Sequence, residues 1–152
     1  MTHYASIAEL ESAVGAPAQT SSWLTITQER INQFADATND HQWIHVDEER
    51  AAAGPYGSTI AHGYLTMSLI SGMLFELLTV EGNPTVINYG HDRVRFLNVV
   101  RVNSRVRASL QLNSVTPVES GVRVNSTVTL EIEGESKPAF VAETIALFLF
   151  DR

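Results

Sequence analysis

The segment Asn-Asp-His-Gln-Trp-Ile-His, residues 39–45, concentrates groups that can move protons or bind a metal ion. Its titratable residues are Asp40, His41 and His45, and Asp47 follows closely. A carboxylate and an imidazole in one cleft can act as acid and base, because histidine titrates near neutral pH. Asp40 and His45 are therefore a candidate acid/base pair. On spacing alone, the commoner arrangement is a capped turn with a packed histidine.

A metal site is another interpretation of the same segment. Its ligands would be His41, His45 and Asp47. The sequence has no cysteine and no His-Glu-x-x-His motif, so the pattern is a weak indication of a metal. We expect no bound metal.

A second segment of interest is Ser-Thr-Ile-Ala-His-Gly-Tyr-Leu, residues 58–65. It precedes a long apolar pattern, so Gly63 lies near the start of a predicted helix, where backbone N–H groups lack intrahelical partners. Because Gly63 has no side chain, a substrate oxygen can approach these N–H groups, which can stabilise a developing negative charge. The alternative is an ordinary helix start with a glycine that permits close packing.

Two helices are predicted to position these segments. The first follows Thr27, a suitable N-cap, and its apolar spacing places Asn39 and Asp40 at or just after its end. The second covers residues 61–78, and its apolar side chains wrap nearly all the way round, so we expect burial on most sides. The shorter predicted elements are a helix over residues 6–14, a strand over residues 22–26 and a helical turn after Asp47.

The second half of the chain alternates apolar and polar residues, as β-strands do. We place four long strands there, around Val94 and Phe96 and over residues 105–112, 122–132 and 139–150. A buried helix followed by an antiparallel meander indicates an α+β fold, with the sheet wrapped around the helix. A chain of 152 residues suits a single domain over residues 1–152.

Composition excludes several classes of function. The net charge is -7, from 10 basic and 17 acidic residues, which argues against binding to nucleic acid or anionic membranes. The lack of cysteine excludes disulfides and a cysteine nucleophile. The N-terminal residues lack the features of a signal peptide, and residues 65–80 are too short and too polar to span a membrane. We expect a cytoplasmic protein.

Taken together, the two segments resemble a known family. Asp40, His45 and Asp47 form the pattern D-x4-H-x-D, and Ile-Ala-His-Gly follows at residues 60–63. In this order and spacing they resemble the MaoC-like and (R)-specific enoyl-CoA hydratase family of hotdog dehydratases. Residues 87–107 are similar to its branch related to nodulation protein N. The family motif, D-x-N-P-[ILV]-H-x-D, differs here because Gln42 and Trp43 replace asparagine and proline.

The resemblance, which covers roughly residues 25–150, implies a hotdog fold and a set of site residues. Asp40 and His45 would be the catalytic dyad, and Gly63 would donate its N–H to the thioester oxygen. Ser71 would assist near the dyad, or serve only as a small residue that permits helix packing. His62 is expected to be a structural residue at the helix start.

The same resemblance implies reversible addition of water to a trans-2-enoyl thioester, giving a (3R)-3-hydroxyacyl thioester. The substrate would be an acyl-CoA or acyl-carrier-protein thioester, and no cofactor is expected. The alternatives are a hotdog acyl-CoA thioesterase and a non-catalytic subunit that binds acyl thioesters. The replacement of Asn-Pro by Gln42 and Trp43 keeps the non-catalytic alternative open.

Basic residues are concentrated between residues 93 and 107. In an acidic protein they are possible contacts for the phosphates of coenzyme A or of a carrier pantetheine. The alternative is a solubilising sheet face that prevents edge pairing. The candidate phosphate contacts are Arg93, Arg95, Arg105 and Arg107. A hotdog sheet leaves one face and one edge to cover, so we expect a homodimer.

Overall fold

The computed structural model describes residues 2–82 and 84–150. Its helices are α1 (Ile7–Ser12), α2 (Gln28–Thr38), α3 (Trp43–Val46), α4 (Glu48–Ala52) and α5 (Gly63–Leu77). Its strands are β1 (His3–Tyr4), β2 (Gln19–Thr20), β3 (Leu24–Thr25), β4 (Thr79–Val80), β5 (Thr85–Phe96), β6 (Arg105–Val118), β7 (Gly121–Ile132) and β8 (Phe140–Leu149).

The main sheet has six strands, all antiparallel to their neighbours. Its order is β2-β6-β7-β8-β5, and β3 also pairs with β6, at the first residues of that strand. Strands β1 and β4 form a separate parallel pair. The predicted α+β architecture, with four long strands after one long helix, is confirmed.

Local capping explains where the helices begin. The Thr27 hydroxyl accepts the Arg30 N–H at 3.2 Å, so Thr27 is the N-cap of α2 as predicted. Helix α5 begins two residues later than predicted. Ala61 lies before the helix, and its N–H donates to the carbonyl of Val100 at 2.7 Å, which ties this segment to the chain after β5. The predicted strand over residues 22–26 is reduced to the two residues of β3.

The core lies between the sheet and one side of α5. Strand β7 alternates half-buried and buried residues along its whole length, as its sequence predicts. The buried residues of α5 are Leu65, Thr66, Ile70, Met73 and Leu77.

The opposite side of α5 corrects the expectation of burial on most sides. Tyr64 is 72% exposed and Phe75 is 56% exposed in the single chain, because the sheet covers only one face of the helix. In the part of the chain that the structure describes, no helix is both long and apolar enough to cross a membrane.

Candidate active site

Asp40 is placed by a reversal of the chain at the end of α2. Asn39 adopts a left-handed conformation, with φ 58° and ψ 24°, and its N–H and that of Asp40 both donate to the Ala35 carbonyl. This ends the helix, since a residue in this conformation turns the chain away from the axis. The Asp40 side chain is exposed, and its Oδ1 accepts the Gln42 N–H at 3.4 Å.

His45 is buried on α3, with 6% of its surface exposed. Its Nδ1 lies 2.6 Å from the carbonyl oxygen of Ile60. A carbonyl oxygen only accepts, so Nδ1 carries the proton, and Nε2 of the neutral ring has a free lone pair. The Ile60 N–H donates in turn to the Ile44 carbonyl at 3.0 Å, which holds the two segments together.

A third residue completes a compact cluster. One ligand-type atom from each of Asp40, His45 and His62 lies within 4.8 Å of the others. The rings of His62 and His45 stack at 3.8 Å between centroids with a 24° interplanar angle.

The ligand set of the metal interpretation is not brought together. The His41 Nε2 lies 2.8 Å from Asp36 Oδ1 on α2, and Asp47 caps α4 by accepting the Arg50 N–H at 3.0 Å. Of that set, only His45 belongs to the cluster.

Gly63 lies in the same cavity as His45. The cavity has a volume of about 170 Å³, and its walls come from the start of α5 and the chain after β5. Gly63 is the first residue of α5, where N–H groups lack intrahelical acceptors. A Cβ atom at Gly63 would lie 3.1 Å from the Phe96 ring, so a side chain here would crowd the cavity.

The electrostatics of the cluster favour a neutral His45. Burial lowers the pKa of His45 below its ordinary 6.5, and the neighbouring His62 also lowers it. The hydrogen bond to Ile60 and the charge of Asp40 raise it, without reversing the net direction. His45 can therefore act as a base at neutral pH.

Comparisons with known proteins identify the family. The model of the MaoC-like domain matches residues 9–135. The chain belongs to the MaoC-like domain family. It is similar to 3-hydroxyacyl-thioester dehydratase Z of Mycobacterium tuberculosis, with 49% identity over 98% of this chain and 99% of that protein. It is also similar to nodulation protein N of Rhizobium meliloti, with 46% identity over 98% and 94% of the two chains.

A solved structure shows the fold of this MaoC-like chain. The (R)-hydratase from A. caviae involved in PHA biosynthesis matches with a TM-score of 0.71 and 22% identity. The match covers 87% of this chain and 96% of that one. The predicted hotdog fold is thereby confirmed.

The departure from the family motif has a structural explanation in this MaoC-like protein. Trp43 is the first residue of α3, a position that proline also fits. Its ring lies 3.1 Å from where a Cβ on Gly54 would be, and the Arg50 guanidinium lies 4.3 Å from its centroid. Trp43 therefore packs α3 against α4, and the bend that positions the dyad forms without proline.

Ser71 is not brought into the cavity of His45 within this chain. It lies about 12 Å along α5 from Gly63, given 1.5 Å per residue. It is exposed and lines a different cavity of about 120 Å³, together with Asn88 and His91. Its assisting role stays a prediction.

The structure scatters the four candidate arginines and pairs three of them with carboxylates. Arg93 contacts Glu143 at 3.3 Å, Arg105 contacts Glu133 at 2.8 Å and Arg107 contacts Glu131 at 2.7 Å. Arg107 also lies over the Trp23 ring at 4.5 Å. Arg95 donates from Nη1 to the Val94 carbonyl at 2.8 Å. Their contact with phosphate stays a prediction, and the paired arginines are the weaker candidates.

His62 is the residue whose place at the site the sequence did not reveal. It precedes α5 but makes no side-chain capping hydrogen bond. Instead it is 3% exposed and lies against both members of the dyad. The sequence shows that His62 immediately precedes Gly63. Its contact with His45 is visible only in the structure.

Proposed function

We propose that this protein interconverts trans-2-enoyl thioesters and (3R)-3-hydroxyacyl thioesters by adding or removing water. It is a hydratase/dehydratase, a lyase, as its near full-length relation to a 3-hydroxyacyl-thioester dehydratase supports. The observation that carries the proposal is the buried His45, whose bond to Ile60 leaves Nε2 free beside Asp40 and near the Gly63 N–H.

In the hydration direction, water binds between Asp40 and His45 and attacks C3 of the enoyl group. His45 Nε2 removes a proton from the water, and Asp40 orients the water and stabilises the resulting imidazolium. Negative charge develops on the thioester oxygen, where the Gly63 N–H stabilises it. The imidazolium then gives a proton to C2, so hydroxyl and hydrogen are both accounted for.

An assay with crotonyl-CoA tests this function and separates it from the alternatives. Loss of the enoyl absorbance without release of free thiol is the expected result. We expect Asp40→Asn and His45→Gln to lower kcat by about 10²–10⁴-fold, the range typical of a lost acid/base group. His41→Gln, in the same segment but paired with Asp36, is the matched control and should keep wild-type activity.

The other outcomes have defined meanings. Release of thiol supports a thioesterase, and no reaction with enoyl thioesters of several lengths supports a subunit that only binds them. Full hydratase rates in both dyad variants contradict the assignment of the dyad.

We propose a phosphate contact at Arg101, besides Arg95. Arg101 pairs with Ile60 through a backbone bridge and lines an outer cavity of about 420 Å³. This cavity shares Phe96, Asn98 and Val99 with the cavity of His45. The Arg101 Nε donates to the Tyr56 carbonyl at 3.2 Å, and no carboxylate among residues 2–82 and 84–150 pairs with its guanidinium.

A phosphate at the cavity entrance would belong to coenzyme A or to a carrier-protein arm. Crotonyl-pantetheine, which lacks phosphate, distinguishes this contact from the catalytic site. Arg101→Ala should raise KM for crotonyl-CoA about tenfold, because a charged hydrogen bond is lost, and leave KM for crotonyl-pantetheine unchanged. Arg105→Ala, whose guanidinium pairs with Glu133, should raise KM for crotonyl-CoA less than Arg101→Ala does.

We propose a homodimer as the working form. Among the described residues β5 pairs only with β8, which leaves its other edge open. Exposed apolar residues lie on β5 and on the outer side of α5, where a second copy would cover them. They are Tyr64, Phe75, Val86, Ile87, Tyr89 and Phe96. We also propose that residues 1–152 form one domain, which acts in the cytoplasm without a cofactor.

A further inference from the structure

We infer that His62 is a positioning residue that holds both members of the dyad in their reactive arrangement. This inference rests on the proposed function. It is motivated by the position of a buried imidazole that lies outside the proton transfers and yet contacts Asp40 and His45. The two contacts differ in kind, and each restrains a different part of the site.

The first contact restrains the backbone of Asp40. The His62 Nε2 lies 2.9 Å from the Asp40 carbonyl oxygen. Since that oxygen only accepts, Nε2 of His62 donates. The bond ties the turn after Asn39 to the start of α5, while the Asp40 carboxylate stays exposed. His62 thus restrains the distance between the Asp40 backbone, which carries the carboxylate, and the start of α5.

The second contact restrains the plane of His45. The stacked ring of His62 covers one face of the His45 ring, and the bond from Nδ1 to Ile60 fixes rotation in the plane. The His62 ring also contacts Phe34 of α2 at 5.0 Å between centroids. His45 therefore has one orientation available for Nε2, and precise orientation of a base is worth a large factor in rate.

The Nδ1 atom of His62 is inconsistent with a packing role alone. It is buried and has no hydrogen-bond partner among the described residues. An unsatisfied buried nitrogen destabilises a fold, and an apolar ring would fill the same space without this cost. The donor at Nε2 is the chemical feature that an apolar residue lacks.

The titratable neighbours of His45 determine whether replacing His62 raises or lowers the pKa of His45. From the segments packed around it, the charged or titratable groups that face it are Asp40 and His62. The opposite wall of the cavity contributes uncharged residues, among them Phe96 and Asn98. His62 lowers the pKa of His45, so its replacement should raise that pKa.

Two substitutions separate the contacts. His62→Phe keeps an aromatic ring against His45 and removes the donor, whereas His62→Gln keeps an N–H donor and removes the ring. We expect kcat to fall about 10- to 100-fold in His62→Phe, with KM within twofold, and His62→Gln to recover part of the loss. In both, the acid limb of the kcat/KM profile should move to higher pH.

The control is His41→Gln, which should match wild type in kcat and in its pH profile. A structural role would lower the melting temperature of the His62 variants but leave the acid limb in place. Folded His62 variants with wild-type kcat and an unmoved acid limb overturn the inference.

Nitrogen NMR of the histidine rings tests the inference without an activity assay, because it shows which ring nitrogen carries the proton. In the wild-type protein we expect a proton on Nε2 of His62 and on Nδ1 of neutral His45. The opposite tautomer at His62 overturns the inference, even if the variants fail to fold. If the wild-type protein shows no hydratase activity, the proposed function is contradicted, and the inference about His62 is tested by titration alone. In that case, an identical NMR titration of His45 in wild type and in His62→Gln overturns the inference.

Discussion

At the scale of single residues, two backbone carbonyls determine which imidazole nitrogens carry protons. The Ile60 carbonyl accepts from Nδ1 of His45, and the Asp40 carbonyl accepts from Nε2 of His62. Both bonds come from segments that the fold brings together from distant parts of the chain. The free Nε2 of His45 follows from this arrangement, and so does its proposed role as the base.

The lowered pKa of His45 predicts how activity depends on pH. A base must be unprotonated, so kcat/KM, which reports the free enzyme, should fall as the pH drops through the pKa of His45. Because burial lowers that pKa, the midpoint of the acid limb should lie below pH 6.5. The initial rate of crotonyl-CoA hydration between pH 4.5 and 8 measures it. A midpoint above pH 6.5 would contradict the prediction.

The lowered pKa of His45 also predicts how the free energy of unfolding depends on pH. Unfolded His45 binds a proton at higher pH than folded His45, so its contribution is complete above pH 6.5 and is lost as the pH falls below it. The loss cannot exceed about 1.4 kcal/mol per pH unit for one group. Urea unfolding at pH 7.5 and pH 5.5 should show a smaller pH effect in His45→Gln than in wild type. His91 remains in both proteins, so its contribution cancels.

At the scale of elements, the site is formed where α2 ends, α3 turns and α5 begins. The left-handed Asn39 ends α2 and directs Asp40 toward the start of α5. Trp43 packs α3 against the turn after α4, which keeps His45 in place. The ends of elements, rather than their middles, therefore set the geometry of the dyad.

The conformation of Asn39 predicts unequal effects of two small substitutions on the free energy of unfolding. Asn39→Ala should lower the free energy of unfolding by about 1 kcal/mol, because a Cβ-bearing residue without a polar side chain resists positive φ. Asn39→Gly should change it by less than about 0.5 kcal/mol, since glycine adopts this region freely. Urea denaturation measures both. Equal losses in the two variants would show that the conformation of Asn39 is not what matters.

At the scale of the whole molecule, the sheet covers one side of α5 and leaves the other side apolar and open. The exposed edge of β5 lies in the same region as the cavity that Ser71 lines. Covering both with a second copy would bury apolar surface and remove an unpaired strand edge. The proposed dimer thus resolves two features that a single chain leaves unexplained.

A charge on the open edge should weaken this association. Tyr89 is 64% exposed on β5, and Tyr89→Lys should raise the dissociation constant of the dimer at least tenfold. Val118→Lys, at the far end of β6, is also an exposed apolar position and serves as the control. Sedimentation equilibrium at micromolar concentrations measures both. A monomeric wild-type protein, or equal effects of the two substitutions, would refute the proposed interface.

The sequence by itself determined the elements and the residue types of the site. Spacing of 3.6 and 2 residues is a local property, so α2, α5, β7 and β8 were predictable within a few residues, whereas β5 and β6 are longer than predicted. The family pattern pointed to Asp40, His45 and Gly63; the structure places Asp40 in one cluster with His45, and Gly63 in one cavity with His45. Capping by Thr27 was predictable because it depends on a neighbour three residues away.

Only the tertiary structure decided which side chains meet. Ile60, His62 and Phe96 reach His45 or Gly63 through packing between segments far apart in sequence, and spacing carries no information about such contacts. The pairing of Arg105 and Arg107 with carboxylates on β7 depends on strand register in the same way. The sequence also could not predict the exposed side of α5. A helix has the same apolar pattern whether the sheet of its own chain or a second chain covers it.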